Sequence, residues 1–493
     1  MSADIGSPLA TFLDRGRRPA DGPIDWNAAP ERYKRYPEAE RVPLPWGEEV
    51  VDTASIRSLM GALLLELCGI TRLIWIPVLD GAPRPGEFKV QHGRSAPSGG
   101  ALYPLEAYVA VGDSGPGLYH YDAAHHCLEL LRTGDHRGAL APGSSVPAAV
   151  VVLTTRFWRN GFKYGEFGYR LQTQEIGVLA AHAEAIAARL GTTVDTRLDF
   201  ADESVHALLD VDPRAEAALA MMFVGDDAAA ASTPSYRELI ELAPAIALRR
   251  SPTITDRLPA MAALHAASMT PPDDLVTESA PYPVESGRVV ALPSVRVPLD
   301  AGIPARCSPA DGFRPRSVDV AQLGGLIGTV ADGWAGFGRG SALYCLVARV
   351  EAIPPGTYRY DPARHALVEI TVGVAEPIRC HPVVGEAAAV LLPVGDFLAG
   401  THTAGARWYR IVQADAGVVL QRGALAAAAL GLAARIYSGE SPDFTGHLGG
   451  MADRTTLAAL LIGEPRAVST LDHRIHPVRY PVGKARSGSD LPE

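Results

Sequence analysis

Cysteine is scarce and scattered. The 493 residues hold five, Cys68, Cys127, Cys307, Cys345 and Cys380, an odd total with no C-x-x-C pair. That spacing argues against a disulfide framework or a cysteine-based zinc centre and fits reduced, mostly buried thiols in a cytoplasmic protein. Long apolar runs are missing too. No stretch reaches the roughly 18 residues that span a bilayer, and the opening MSADIGSPLATFLDRGRRPADG lacks the apolar core of a secretion signal. The longest candidate, residues 424–434, is Ala-rich and followed by Arg435, as suits a buried helix. Cations are outnumbered: 45 Lys+Arg against 55 Asp+Glu leave a formal charge of −10, so there is no surplus to hold a nucleic-acid backbone. Neither nucleic acid nor membrane is therefore expected as a partner.

What is present is a foldable, apolar chain. At 47% hydrophobic and 20% charged residues it lies outside the disordered class, and its length predicts two or three domains with filled cores.

The strongest internal signal is a long-period duplication. The string Pro116-Gly117-Leu118-Tyr119-His120-Tyr121-Asp122 returns as Pro355-Gly356-Thr357-Tyr358-Arg359-Tyr360-Asp361, an offset of 239. Both copies run on to a His-x-Leu, at His126 and His365, which reads as a hairpin turning at Asp. Gly100-Ala101-Leu102-Tyr103 matches Ser341-Ala342-Leu343-Tyr344 at 241, and Tyr169-Arg170 and Gly177 match Tyr409-Arg410 and Gly417 at 240. The chain thus reads as two copies of one α+β domain, residues 1–225 and 293–493. The Ala-, Pro- and Ser-rich stretch 226–292, with a candidate helix at 236–248, reads as a linker or surface excursion. Residues 107–112 and 148–154 have strand composition. Residues 172–190 have helical spacing and a Gly stop at Gly191. Two fused copies imply an intramolecular pseudo-dimer.

Few residues stand out chemically. Arg94-Ser95-Ala96-Pro97-Ser98-Gly99-Gly100 is a small-residue loop with one cation, suited to close backbone approach to a flat or anionic ligand. Taken alone it is equally an ordinary Ser/Gly turn, and it is neither a Walker loop nor a dinucleotide fingerprint. Lys163-Tyr164, taken alone, also reads as a solvated cation beside a packing ring. Glu106 and Glu166 are candidates to orient a base there. His125-His126 falls in the hairpin turn, and since the other copy has Arg364-His365 there, no metal site is expected. Ser95 and Ser98 lack the His/Asp partners of a hydrolase triad.

Residues 94–108, RSAPSGGALYPLEAY, resemble the flavin-contacting loop of the azoline (thiazoline/oxazoline) dehydrogenases of the SagB type, in the FMN-dependent nitroreductase-like superfamily. Residues 25–37, DWNAAPERYKRYP, the VPLP at 42–45, and GLYHYD at 117–122 resemble that branch as well. The resemblance covers most of the first copy and, in degraded form, the second. It implies two tandem nitroreductase-like domains, each a central, mostly antiparallel sheet flanked by helices. It implies FMN as cofactor, Arg94, Pro97, Ser98, Gly99 and Gly100 at the flavin, and Lys163 with Tyr164 acting in proton removal.

The second copy has Ala404-Gly405-Ala406-Arg407 where the first has its Lys-Tyr pair, and its loop, Gly336 to Ser341, has lost the Pro-Ser step. Arg306-Cys307-Ser308 nevertheless resembles the Arg-x-Ser start of the superfamily fold, Lys484-Ala485-Arg486 its closing basic pair, and Ser438-Gly439 the backbone that meets the flavin ring. The expected division of labour gives one flavin site, with Arg306, Ser308, Gly439, Lys484 and Arg486 completing the first copy's loop. The implied reaction is oxidation of an azoline in a ribosomally made precursor peptide to the azole, with dioxygen as final acceptor and a cyclodehydratase complex as a candidate partner. Two other readings stay open: a nicotinamide-fed FMN reductase of nitro compounds or quinones, and a non-catalytic scaffold of a peptide-modifying complex.

Overall fold

The computed structural model describes residues 7–16, 18–46, 51–77, 88–113, 115–141, 146–226, 252–269, 287–373, 385–438, 455–466 and 471–475. Its centre is a pair of antiparallel sheets with one topology. In the first half the order is Arg41–Pro43, Cys127–Thr133, Gly117–Asp122, Leu105–Val111, Pro147–Arg156, Glu216–Asp226, Val194–Arg197. In the second it is Val289–Ala291, Ala366–Val372, Gly356–Asp361, Ala342–Val347, Ala389–Gly395, then Ala459–Pro465, which pairs with both Phe313–Arg314 and Ala433–Tyr437. The middle strands Leu105–Val111 and Ala342–Val347 are buried along their whole length, so both faces of each sheet are covered, as their β-branched and apolar composition requires.

The repeated hairpin is held by a repeated device. Asp122 Oδ1 accepts the Ala124 N–H at 2.9 Å and Asp361 Oδ1 the Ala363 N–H at 3.0 Å, the local turn that Asp makes readily. His126 and His365 follow at φ 51° and 47°. Each ring bonds its own tyrosine, Tyr121 or Tyr360, at 2.9 Å and a proline carbonyl, Pro45 or Pro293. Both histidines are turn pins.

Two 23-residue helices, Gly168–Leu190 and Arg407–Ala429, follow the corresponding strands. The first stops at Gly191, left-handed at φ 69°, where a Cβ would be strained. The helices lie against each other and run in the same direction, because matched residues meet in sequence order. Tyr169 stacks on Tyr409, with centroids 6.0 Å apart at 12°. Gln174 donates to Gln413 at 2.7 Å, Gln421 Nε2 bonds His182 Nδ1 at 2.9 Å, and Arg422 pairs with Glu184 at 2.9 Å. Between these contacts Gly177 and Gly417 bring backbone onto backbone: a Cβ on either would collide with the Ala414 or Gln174 carbonyl oxygen.

Further ties cross between the halves. Asp202 is buried between Arg407 and Arg410, the latter at 2.9 Å. Leu471–Arg474 pairs antiparallel with Arg72–Pro77, which pairs with Phe88–Gly93, giving a three-stranded sheet made by both halves.

The reading of 226–292 as linker or surface excursion needs correction where it is described. Helix Pro259–Ala267 packs into the first half's core through Met261 and Leu264, with Ile254 and Leu258 before it. The apolar spacing 254, 258, 261, 264 is that of a buried helical stripe. The candidate helix at 236–248 lies outside the described residues. Residues 433 and 434 of the expected Ala-rich helix belong instead to strand Ala433–Tyr437. Cys68, Cys127 and Cys345 are buried free thiols and Cys307 is half-buried; Cys380 lies outside the described residues. No helix among those residues is long and apolar enough to cross a membrane.

Since the crossing tolerates no side chain, Gly417→Ala is expected to destabilise the chain by about 1–3 kcal/mol. Chemical denaturation followed by far-UV circular dichroism measures this, and Gly338→Ala, where a Cβ meets nothing within 4 Å, is the control.

Candidate active site

Strand Phe88–Gly93 leads into the 94–101 loop, which packs against the first long helix. Ser98 is the pivot: its hydroxyl donates to Glu175 Oε2 at 2.8 Å and accepts the Tyr103 N–H at 2.9 Å. Glu175 also accepts a backbone hydrogen bond from Gly99. Arg94 lays its guanidinium on the Tyr103 ring, 4.8 Å from the centroid, and its N–H donates to the Tyr103 hydroxyl. Gly100, Ala101 and Tyr103 are all left-handed, at φ 66°, 54° and 50°. Non-glycine residues in that region cost about 1–2 kcal/mol each, strain that collects where a backbone must present itself to a ligand.

The loop faces the Lys-Tyr pair. A Cβ on Gly100 would strike the Tyr164 hydroxyl and come within 3.0 Å of Lys163 Nζ, so glycine there lets both head groups approach the loop backbone. Lys163 lies in the last turn of helix Trp158–Tyr164, its ammonium 5.0 Å from the Tyr164 ring centroid and 5.8 Å from that of Trp26. Trp26 is 59% exposed. It is held there because the 26–31 segment folds back over this helix: Trp158 Nε1 donates to the Ala28 carbonyl at 2.8 Å, and Arg159 to those of Pro30 and Glu31 at 3.2 and 3.0 Å. Lysine is rare in this chain, at four residues. Lys34 is half-buried and paired with Glu216 at 2.7 Å, whereas Lys163 has no carboxylate partner among the described residues.

Glu106 and Glu166, weighed as residues that orient the base, do other work. Glu106 is buried beside His120 and Arg156. Glu166 accepts the Ala260 and Met261 N–H groups at 3.0 and 2.6 Å, capping the helix that joins the core.

The other flank of the loop is basic and made by both halves. Arg306 Nε donates to the Ser95 carbonyl at 2.7 Å. The Ser95 hydroxyl and Arg474 both bond the Glu66 carboxylate, and Arg189 is 3.9 Å from it. Arg72 and Arg474 reach the carbonyls of Pro304 and Ile303. Arg474 and Arg189 thus stand at the Glu66 carboxylate, and Arg306 and Arg72 bond backbone carbonyls of Ser95 and Pro304. Their field is felt by His182, which burial first, then Arg306, Arg189 and Arg474, push down to about 3. It is a neutral imidazole, donating from Nε2 to the Glu66 carbonyl at 3.2 Å and accepting from Gln421 at Nδ1. Such a surplus of guanidinium suits a phosphate, and the glycine cradle beside Lys163 and Tyr164 suits a flat ring. The residues present therefore fit a phosphorylated flavin.

Of the residues expected from sequence, Ser98 and Gly99 are tied to Glu175, Gly100 lies against Lys163 and Tyr164, Arg94 and Pro97 belong to the same loop, and Arg306 of the other half reaches the Ser95 carbonyl. Ser308 is exposed. Gly439, Lys484 and Arg486 lie outside the described residues, though Ser438 donates to Gln174 Oε1 at 2.8 Å, one residue from Glu175. Sequence reasoning missed Glu66, Arg72, Glu175, Arg189 and Arg474. Glu175 left a signal, since Asp415 stands at its repeat position, 240 residues on. Arg474 left none, because only the strand pairing across the halves brings it in.

Burial pushes the Glu175 carboxyl up to about 7, against the opposing pull of Ser98, Arg94, Gly99 and Arg159. A carboxyl raised in the folded state favours folding below its unfolded value and loses that contribution as pH rises through the folded one. The wild-type thermal midpoint is therefore expected to fall between about pH 4.5 and 7, and Glu175→Gln to flatten that fall in a pH series of melting curves.

No protein-family profile matches the chain. Over 149 residues, 27% of the chain, it is 33% identical to the trifolitoxin-processing protein TfxB of Rhizobium leguminosarum bv. trifolii, covering 40% of that protein. Over 159 residues, 29% of the chain, it is 29% identical to the microcin B17-processing protein McbC of Escherichia coli, covering 57% of it. The chain thus spans about half the length of these curated relatives. A solved nitroreductase-like protein of Anabaena variabilis superposes with a TM-score of 0.75 at 22% identity, covering 93% of this chain and all of that one. Nearly the whole chain therefore has the nitroreductase-like fold.

Proposed function

We propose that the protein is an FMN-dependent azoline dehydrogenase, oxidising thiazolines or oxazolines in a precursor peptide to thiazoles or oxazoles. The observation that carries this reading is the placement of Lys163 Nζ and the Tyr164 hydroxyl together over Gly100, beside a loop completed by Arg306. The similarity to two proteins that process trifolitoxin and microcin B17 supports a peptide substrate, for which this reading takes a cyclodehydratase complex as the supplier. The fused halves act as an intramolecular pseudo-dimer with one flavin site in their seam.

Bound FMN supplies the two-electron acceptor for hydride from the azoline ring carbon. The protein's own residues hold it and move the proton. Arg306, with Arg72, Arg189 and Arg474, neutralises the phosphate; residues 97–100 offer backbone to the ring system, fixed by Ser98 on Glu175. Lys163, with Tyr164 beside it, takes the proton from the former α-carbon, and loss of proton and hydride from adjacent ring atoms makes the ring aromatic. The exposed face of Trp26 leaves room for an extended peptide over the pair.

Mass spectrometry of an azoline-bearing peptide incubated with FMN-loaded protein is expected to show loss of two hydrogens per ring. Lys163→Ala is expected to slow this by roughly 10²-fold or more while retaining FMN. A variant that forms azoles at the wild-type rate removes Lys163 from the reaction, and NAD(P)H-driven quinone or nitro reduction without azole formation replaces the reading by the reductase one. In a separate titration, Arg306→Ala is expected to weaken FMN binding roughly ten- to a hundredfold, read by flavin fluorescence.

A further inference from the structure

Among the large apolar side chains described, only Val372 is more exposed than Trp26. That exposure is built in. The segment carrying Trp26 is tied to the Lys163 helix on both sides: before it, the Ala20 N–H donates to the Tyr164 carbonyl at 3.3 Å, and after it, the Ala28 carbonyl takes the Trp158 indole N–H. Between these ties the short turn Trp26–Ala28 is capped by Asp25, whose Oδ1 accepts the Asn27 N–H at 2.9 Å. The Phe162 ring lies against the indole at a steep angle, centroids 5.7 Å apart at 65°, and sets its tilt. Folding gains little from a ring left mostly in water, so the placement is accounted for by what the ring faces.

It faces the head group of Lys163. Nζ stands 5.0 Å from the centre of the Tyr164 ring and 5.8 Å from that of Trp26, with the Gly100 backbone beside it. A carbon handing its proton to Nζ lies about 3–3.5 Å from it, and apolar contact reaches about 4.0–4.5 Å. With 5.8 Å between amine and indole centre, one carbon can satisfy both distances, and a ring bearing that carbon can lie against the indole.

An indole offers a flat, electron-rich face on which planar rings stack with an offset. In a modified peptide the planar group at the abstracted proton is the five-membered heterocycle itself. An uncyclised cysteine, serine or threonine side chain presents no such ring.

We propose that Trp26 is a specificity residue of the azoline site: its exposed indole bears on the five-membered heterocycle of the bound peptide and so separates cyclised positions from uncyclised ones. The proposal deepens the dehydrogenase reading and rests on it.

The test uses FMN-loaded protein and fluorescence polarisation of labelled peptides that carry one thiazole or, in its place, the uncyclised cysteine. The wild type is expected to bind the thiazole peptide roughly two- to tenfold more tightly, the worth of one aromatic pair. Trp26→Ala is expected to abolish that preference and Trp26→Phe to keep most of it, with FMN content unchanged in both. In turnover of an azoline peptide, the loss caused by Trp26→Ala is expected to fall on KM rather than kcat. Equal or absent binding of the two peptides by the wild type, or a preference that survives Trp26→Ala, overturns the proposal. So does a loss carried by kcat at unchanged KM, since the indole would then act on the lysine alone. If no azole forms, the dehydrogenase reading fails and the binding comparison still decides: a thiazole preference lost in Trp26→Ala upholds the indole as a platform for the ring, and one that is missing or persists refutes it.

Discussion

The close approach of two helix backbones at Gly177 and Gly417 is the constraint on which the rest of the structure depends. Because neither position admits a Cβ, the long helices meet at a single register. That register stacks Tyr169 on Tyr409 and aligns Gln174 with Gln413 and His182 with Gln421. With the helices fixed, the 94–101 loop of one half and Arg306 of the other are delivered to the same place. A shift of one helical turn would separate them.

The halves share a topology and have diverged at the matched acids that hold their loops. Glu175 grips a hydroxyl and a backbone amide and leaves an open, strained, glycine-bearing loop. Asp415 is tied to a guanidinium, beside a loop wound into a helical turn. The second half lacks the Lys163-Tyr164 pair and has a different arrangement where its long helix begins. Arg407 and Arg410 at the start of its long helix are fully buried and converge on Asp202 of the first half. Removing one member of such a buried ionic cluster typically costs about 3–5 kcal/mol, so these residues weld the halves together.

Much of this was legible in the chain. The duplication was visible because a hairpin turn, a helix crossing and a loop each demand particular residues: Asp for the turn, Gly for the crossing, small residues for the loop. These survive in both copies at offsets of 239 to 241. The basic cluster was only partly legible. Arg306 carried a recognisable neighbour in Ser308, yet Ser308 itself is exposed, while Arg72, Arg189 and Arg474 come from a strand, a helix end and a strand that no local pattern links. The segment read as linker hid a core helix because its polar flanks mask a short apolar stripe at 254, 258, 261 and 264.

By itself the sequence determined the two-fold repetition, the antiparallel hairpins and the residues able to approach a flat ligand, since each follows from backbone conformations and patterns that neighbouring residues impose. Only the tertiary structure decided which basic groups stand by the loop and that Glu66 and Glu175 hold it. Those outcomes depend on contacts between residues up to some four hundred positions apart, such as Glu66 with Arg474, and contacts of that span arise from packing across the seam, which no local pattern records.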